Sequence, residues 1–205
     1  MRITYANRAL GALALGLALT LSACGSDDTT SEQPSQASVS TTEHNDADVT
    51  FASDMLQHHA QALSMVDMTM GHDLTPEVAA LAEDIRAAQA PEIETMSDWL
   101  QEWGEDIPET VRDHANAHGG DDMGGGTGAD MPGMMTADDM AALEDATGAE
   151  FQAMWLEMMI EHHEGAVEMA QTQQADGQYK PAVDLAGEII TAQNKEIEAM
   201  QDLLG

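Results

Sequence analysis

Hydrophobic and polar residues recur with a helical period along two stretches of the chain, residues 48–103 and 147–205. In the second stretch, Glu157, Glu161 and Glu164 fall on one side of a helical wheel, while methionine, histidine, aromatic and aliphatic residues fill the opposite arc. The first stretch shows the same division into a polar side and an apolar arc. Both stretches are therefore expected to form helices with one solvated face and one buried face.

Capping and turn signals divide each stretch into two helices. Gly71 ends the first helix, and Thr75, followed by proline and glutamate, begins the second. In the later stretch, Thr147 and Glu150 resemble a capping box, and Gly177 ends the helix that they begin. Two helical hairpins of this kind predict an all-α fold, an antiparallel four-helix bundle.

The second hairpin repeats the first. A shift of 104 residues, with no gap, gives sixteen identities between the two and indicates an internal duplication. The identities in the second helix of each copy include Gln89 with Gln193 and Glu92 with Glu196. Those in the first helix pair Met55 with Met159, His58 with His162, His59 with His163, Ala62 with Ala166 and Met65 with Met169. Each copy thus carries one His-His pair flanked by methionines.

The N-terminus has the layout of an export signal. Arg2 and Arg8 precede an apolar run that is too short to span a membrane and ends in Leu-Ser-Ala-Cys. This ending resembles the bacterial lipobox, in which the cysteine, here Cys24, is lipidated after cleavage. The alternative is an ordinary signal peptide with a chance cysteine. We expect residues 1–23 to be removed and residues 24–47 to form a disordered tether to the extracytoplasmic face of the cell membrane, at the cell surface or in the periplasm.

The chain is strongly acidic, with 38 Asp and Glu against 6 Lys and Arg and a formal net charge of -32. This charge argues against a nucleic-acid partner and attracts cations, although most acidic clusters are only solvated faces. The chain also contains 16 methionines and 8 histidines but one cysteine. With that cysteine acylated, no thiol remains for a disulfide or a thiolate metal site.

The His-His pairs lie on the buried arcs of their helices. His58 and His162 fall among methionines, whereas His59 and His163 lie nearer the aliphatic side, where they could be core residues. In a single helix, methionines and a histidine on an apolar face would indicate ordinary packing. Burying a pair of imidazoles is unfavourable without a partner, so its duplication favours a metal site.

The available ligand types favour a soft or borderline ion. Imidazole and thioether without thiolate suit Cu(I) best and Ag(I) next, and Cu(II) could use histidine with nearby carboxylates. Zinc rarely accepts a thioether and calcium requires oxygen ligands, so both fit less well. The expected metal is therefore copper.

No motif in the chain indicates an enzyme. A di-iron oxidase on such a bundle would need Glu-x-x-His motifs, and no histidine here has a glutamate three residues before it. The chain also lacks a nucleophile motif and a phosphate-binding glycine loop. We therefore expect a binding protein without catalytic turnover.

Residues 104–146 separate the two hairpins. Glycine and aspartate dominate residues 105–135, which predicts a mobile loop, and Thr136 begins a short capped helix that extends to Ala146. Histidines and methionines in the loop could collect metal at low affinity, and the alternative is a plain flexible linker. The accessory metal candidates are Met158 in the second hairpin and His114, His118, Met123, Met131, Met134 and Met135 in the loop.

The segment that begins at Met159, Met-Ile-Glu-His-His-Glu-Gly-Ala-Val-Glu-Met-Ala, resembles the signature of the domain-of-unknown-function 305 family, whose copper-binding members are CopM-like metallochaperones. The likeness covers residues 48–204. It implies a ferritin-like helical bundle, an extracytoplasmic location and copper binding through methionine and histidine. The first copy has Ala60 and Gln61 where the second has Glu164 and Gly165, which implies a weaker first site. The metal ligands that the resemblance implies are Met55, His58, His59, Met65, Met159, His162, His163 and Met169.

Two functions remain open on the sequence. The first is a lipid-anchored protein that sequesters Cu(I) or transfers it to an unknown copper-exchange protein. The second is a structural or interaction module of the cell envelope, whose buried histidines hydrogen-bond across the bundle and bind no metal. Whether the two pairs form one site or two depends on how closely His58 approaches His162.

Overall fold

The computed structural model describes residues 39–110 and 131–205, and these contain five helices and no strand. The predicted all-α fold class is confirmed. None of these helices is sufficiently long and apolar to cross a membrane. The helices are α1 (Asp46–Met68), α2 (Pro76–Trp103), α3 (Ala137–Asp145), α4 (Gly148–Asp176) and α5 (Lys180–Leu204).

Local side-chain hydrogen bonds fix where several helices begin. Asn45 and Asp48 cap the start of α1 reciprocally, and α3 has the same device at Thr136. Thr147 makes no side-chain capping hydrogen bond, so the predicted capping box before α4 is wrong. The next residue, Gly148, has a φ of 57°. This left-handed turn places the first amides of α4 differently from those of an ordinary capping box.

The helices pack as two hairpins joined through their first helices. α1 packs along α2 and α4 packs along α5, as the duplication requires. Between the hairpins, α1 contacts α4 extensively, whereas α2 and α5 make few contacts, and α3 lies against α4. Since α1 and α4 carry the His-His pairs, the joint between the two copies is also where the histidines lie.

Two apolar clusters fill the interior. The first includes Met65 of α1 and Met159 of α4, and the second includes Met55 of α1 and Ala166 of α4. Along α1, the chain passes from the second cluster through the His-His pair to the first cluster. Along α4 it passes in the opposite order. The two helices are therefore antiparallel, and the four histidines lie between the clusters.

A buried aspartate ties the two hairpins together near the start of α1. Asp48 accepts hydrogen bonds from the Gln173 side chain at 2.6 Å and from the backbone amides of Gln178 and Tyr179 at 3.1 and 2.9 Å. The backbone amide of Asn45 is a fourth donor, at 2.9 Å. Because four donors surround the carboxylate, its burial is compensated.

Candidate metal centre

The two His-His pairs meet in one layer. The ring centroids of His58 and His162 lie 3.8 Å apart with the planes tilted by 41°, and the His163 ring lies 6.4 Å from that of His162. All four histidines are buried, with exposed fractions of 1% or less. The duplication therefore brings its copies of the motif to one shared centre.

The second histidine of each pair is held by a glutamate from the neighbouring helix. His59 Nε2 lies 2.7 Å from Oε2 of Glu92 on α2, and His163 Nε2 lies 2.9 Å from Oε2 of Glu196 on α5. A carboxylate accepts the hydrogen bond, so Nε2 carries the hydrogen and Nδ1 of a neutral imidazole keeps its lone pair. Carboxylates orient metal-binding histidines in this way. Neither glutamate is among the site residues predicted from the sequence.

With the exception of His58 Nε2, the remaining ring nitrogens are buried without a partner among the described residues. His58 donates through Nε2 to the Pro132 carbonyl at 2.9 Å. Nδ1 of each of the four histidines, and also Nε2 of His162, has no hydrogen-bond partner among the described residues. Leaving one buried polar atom unpaired costs about 1 to 3 kcal/mol. This concentration of unpaired nitrogens fits a metal ion, which would accept their lone pairs.

Burial keeps the two central imidazoles neutral. The pKa of His58 is lowered to about 3, chiefly by burial and next by the nearby His59 ring, while the hydrogen bond to Pro132 opposes the shift. The pKa of His162 is lowered well below 6.5 by burial and then by the other three histidines. The backbone carbonyl of His58 acts in the opposite direction and raises the pKa of His162. It is nevertheless not placed to form a hydrogen bond with either ring nitrogen of His162. At neutral pH each ring therefore has one N–H group and one nitrogen lone pair that can bind a metal ion.

Residues 131–135, which end just before the N-cap Thr136 of α3, form a strap over the histidine layer. Pro132 supplies the carbonyl that His58 contacts. Met135 is buried, and its backbone exchanges two hydrogen bonds with the Gln61 side chain, at 2.9 and 2.8 Å. The prediction of a mobile loop is wrong for these five residues, because the Met-Pro-Gly-Met-Met segment packs and hydrogen-bonds against the bundle.

The strap approaches α4 closely because Gly165 has no side chain. A Cβ atom at Gly165 would lie 2.0 Å from the carbonyl oxygen of Pro132. Gly133 also packs against the α4 backbone, and its φ of 73° favours glycine. In the first copy the position of Gly165 is Gln61, which clamps the same strap. The Gln61–Gly165 difference, which implies a weaker first site on the sequence alone, thus has a role in holding the strap.

Two buried glutamines extend the polar layer onto α2 and α5. Gln89 and Gln193 are 2% and 3% exposed and precede Glu92 and Glu196 by one helical turn. Both polar atoms of the Gln89 amide, and Oε1 of Gln193, have no partner within the described ranges. The repeat aligns Gln89 with Gln193, and this identity is the feature of the sequence that could have indicated a shared role for them. All four long helices therefore contribute to the layer.

The methionines predicted as ligands are divided between the two apolar clusters. Met65 and Met159 are buried in the first cluster, and Met55 is buried in the second, against which the half-buried Met169 packs. In the part of the chain that the structure describes, no three His, Cys, Asp or Glu side chains are arranged to hold a metal ion. Of the accessory candidates, Met135 is buried and Met131, Met134 and Met158 are half-buried, whereas His114, His118 and Met123, like Cys24, lie outside the described residues.

Solved structures share this fold. A DUF305 protein from Streptomyces coelicolor is 30% identical, with a TM-score of 0.65, over 77% of this chain and 91% of its own. A DUF305 fragment from Deinococcus radiodurans is 29% identical, with a TM-score of 0.63, over 78% and 97% of the two chains. CopM in its Cu(I)-bound form is 27% identical, with a TM-score of 0.59, over 76% and 94%. CopM has also been solved with Cu(II) and with Ag bound.

Among curated proteins, no sequence matches this chain. The model of the domain of unknown function DUF305 matches residues 48–204, which include both hairpins and the segment between them. This match confirms the family resemblance of the His-His segment. Since it spans well over half of the sequence, the chain belongs to the DUF305 family.

Proposed function

We propose that this protein binds copper outside the cytoplasm, preferably as Cu(I), and that it sequesters or transfers the ion without catalytic turnover. The observation that carries the proposal is the layer of four buried histidines, whose Nδ1 atoms have no partner among the described residues. A neutral imidazole with a free lone pair is the form that binds metal. A metal ion would use the nitrogens that the protein leaves unpaired.

We assign the central ligand role to His58 and His162, whose rings lie 3.8 Å apart. His59 and His163 are proposed as further nitrogen ligands, because their glutamate partners orient the rings and leave Nδ1 free. Thioethers from the apolar clusters on both sides of the layer are the candidates for the sulfur ligands of an ion held by some of these histidines. These are Met55, Met65, Met159 and Met169.

The choice of Cu(I) depends on the softness of this ligand set. Thioether and imidazole ligands within an apolar surround favour a soft ion with little demand for oxygen. CopM, a relative that shares the fold, has been solved with Cu(I), Cu(II) and Ag bound. Its range of ions supports Ag(I) and Cu(II) as further ligands of this chain.

We also propose that lipidated Cys24 holds the protein on the extracytoplasmic face of the cell membrane, where it exchanges copper with a protein partner. The export pattern from Arg2 to Cys24 supports this location. The Cys24→Ala variant should lose incorporation of a labelled fatty acid and leave the membrane fraction. Retention of both by the variant would contradict lipid anchoring at this cysteine.

Competition with a chromophoric Cu(I) chelator tests the metal site. The double variant His58→Gln and His162→Gln should lose at least about 100-fold in Cu(I) affinity, because removal of an outer-shell partner alone costs 10- to 100-fold. The control is His44→Gln, since His44 stacks on Trp103 outside the layer, with ring centroids 4.4 Å apart. Circular dichroism would confirm that the variants remain helical.

X-ray absorption of the copper-loaded protein should show both nitrogen and sulfur neighbours. The proposal fails if the protein binds no Cu(I) at micromolar concentration, or if the double variant and the His44→Gln control bind equally. Either result would favour the structural module, whose histidines only hydrogen-bond across the bundle. Steady oxidation of Cu(I) or Fe(II) by oxygen would contradict the absence of turnover.

A further inference from the structure

An exposed methionine lies in the turn between α1 and α2. Met70 has 70% of its surface exposed, more than any other large hydrophobic residue in the described ranges. Methionine is usually buried, and packing does not explain its position here. Gly71, with a φ of 91°, allows the tight turn that follows. The turn thus presents a thioether to solvent.

A histidine follows two residues later. The half-buried ring of His72 stacks on Phe151, with ring centroids 3.7 Å apart and planes tilted by 12°. In the described part of the chain, no hydrogen bond engages a ring nitrogen of His72. Because stacking uses the face of the ring, either nitrogen at its edge can serve as the ligand, depending on the tautomer.

A third soft donor precedes Met70. Met68 is the last residue of α1, and it is half-buried against the first apolar cluster. Backbone hydrogen bonds from Met70 to Asp67 at 3.1 Å and from His72 to Thr69 at 3.2 Å fold this turn compactly. Two thioethers and one imidazole therefore lie within five residues, and methionine side chains are flexible enough to converge on one ion.

The surroundings of this turn favour a cation. The segment from residue 66 to residue 78 contains two aspartates and a glutamate but no lysine or arginine, although Arg86 of α2 pairs with Asp67 at 2.8 Å and offsets that charge. The chain as a whole carries a net charge of -32, which raises the local concentration of cations. Ten residues of helix separate Met68 from His58, roughly 15 Å along α1. A metal at the turn would therefore occupy a site distinct from the histidine layer.

We propose that Met68, Met70 and His72 form a second, solvent-exposed binding site for a soft monovalent ion, Cu(I) or Ag(I). The class of ion rests on the proposed function, whereas the site itself does not need the central histidines. Met68 packs on the same apolar cluster that contains Met65 and Met159. The exposed site thus adjoins the cluster that borders the histidine layer.

Titration of the full chain with Ag(I), observed through ¹³C-labelled methionine methyl groups, tests this site. Two equivalents of Ag(I), enough for both proposed sites, should shift the methyl signals of Met68 and Met70, and leave that of Met96, buried in the second cluster, in place. The His72→Gln variant should weaken binding at Met70 by at least about tenfold, because the imidazole would be lost as a ligand. In the His58→Gln and His162→Gln variant, the Met70 shift should persist.

Three results would overturn the inference. The first is a Met70 signal that does not move, and the second is a shift that His72→Gln leaves unchanged, which would indicate a lone thioether. The third is a shift that disappears with the central histidines. The Met65 and Met159 signals report separately on the histidine layer. If they move and Met70 does not, only the exposed site is refuted, and the reverse result refutes only the central one.

Discussion

Replacing Gly165 with alanine should destabilise the protein, although alanine normally stabilises a helix relative to glycine. The new Cβ would lie 2.0 Å from the oxygen and 2.4 Å from the carbon of the Pro132 carbonyl, and 2.7 Å from the Gly133 nitrogen. All three are backbone atoms, so no side chain can rotate away to relieve the contact. The strap must move away from α4.

The magnitude follows from the contacts that hold the strap. Its displacement would weaken the two hydrogen bonds between Gln61 and Met135 and the one between His58 and Pro132, each worth about 1 kcal/mol. Exposing the buried Met135 side chain would cost about 2 kcal/mol more. The higher helix propensity of alanine offsets about 1 kcal/mol of this loss in stability. The free energy of unfolding should therefore fall by about 2 to 4 kcal/mol.

Urea denaturation followed by tryptophan fluorescence measures this change, and Gly187→Ala in α5 is the matched control. At Gly187 the new Cβ would approach only the end of the flexible Gln174 side chain, at 2.8 Å. The control should be unchanged in stability or stabilised by up to about 1 kcal/mol. If Gly165→Ala is as stable as Gly187→Ala, the strap is not pressed against α4 and the reasoning is wrong.

Three other outcomes are expected. In the metal-free protein, the free energy of unfolding should be greatest above pH 6.5 and should fall as the pH is lowered. The fall should reach about 1.4 kcal/mol per pH unit for each of His58 and His162. Its cause is that these histidines become protonated in the unfolded chain, whereas their lowered pKa values keep them neutral in the folded protein. Urea titrations at several pH values should show that the unfolding free energy depends less steeply on pH when both histidines are replaced by glutamine. An equal dependence on pH would contradict the assignment. Asp48→Ala should cost about 3 to 5 kcal/mol of unfolding free energy by leaving buried donors unpaired, and a loss below about 1 kcal/mol would refute this role. Glu92→Gln or Glu196→Gln should lower Cu(I) affinity about tenfold in the chelator assay by making the attached imidazole less basic, and unchanged affinity would show that these glutamates only support the fold.

The helices and the buried position of the histidines can be predicted because both depend on local pattern. A period of 3.6 residues places His58 and His162 on the apolar faces of their helices, and both are buried in the structure. The shift of 104 residues identifies the repeat without any knowledge of its packing. How the hairpins dock depends on contacts between distant residues, and these leave no periodic signal.

The partners of the histidines are harder to predict for the same reason. Glu92 and Glu196 look like two ordinary acids among 38, and only their matched positions in the repeat distinguish them. The strap lies in a segment whose glycine and aspartate content is typical of loops. Its order comes from Gln61 and Gly165, which are more than 25 residues away in sequence and carry no capping or turn signal.

The difference between Gln61 and Gly165 has a consequence for how such a protein could arise. Symmetric assembly of two identical hairpins would place the same residue at both positions. Two glutamines would block the close passage of the strap over α4, and two glycines would leave it without its clamp. Fusion of the copies into one gene removes this constraint, since each half can then mutate alone. It also supplies the connecting segment from which the strap is made, so the covering of the histidine layer is a property that only the fused, asymmetric chain can have.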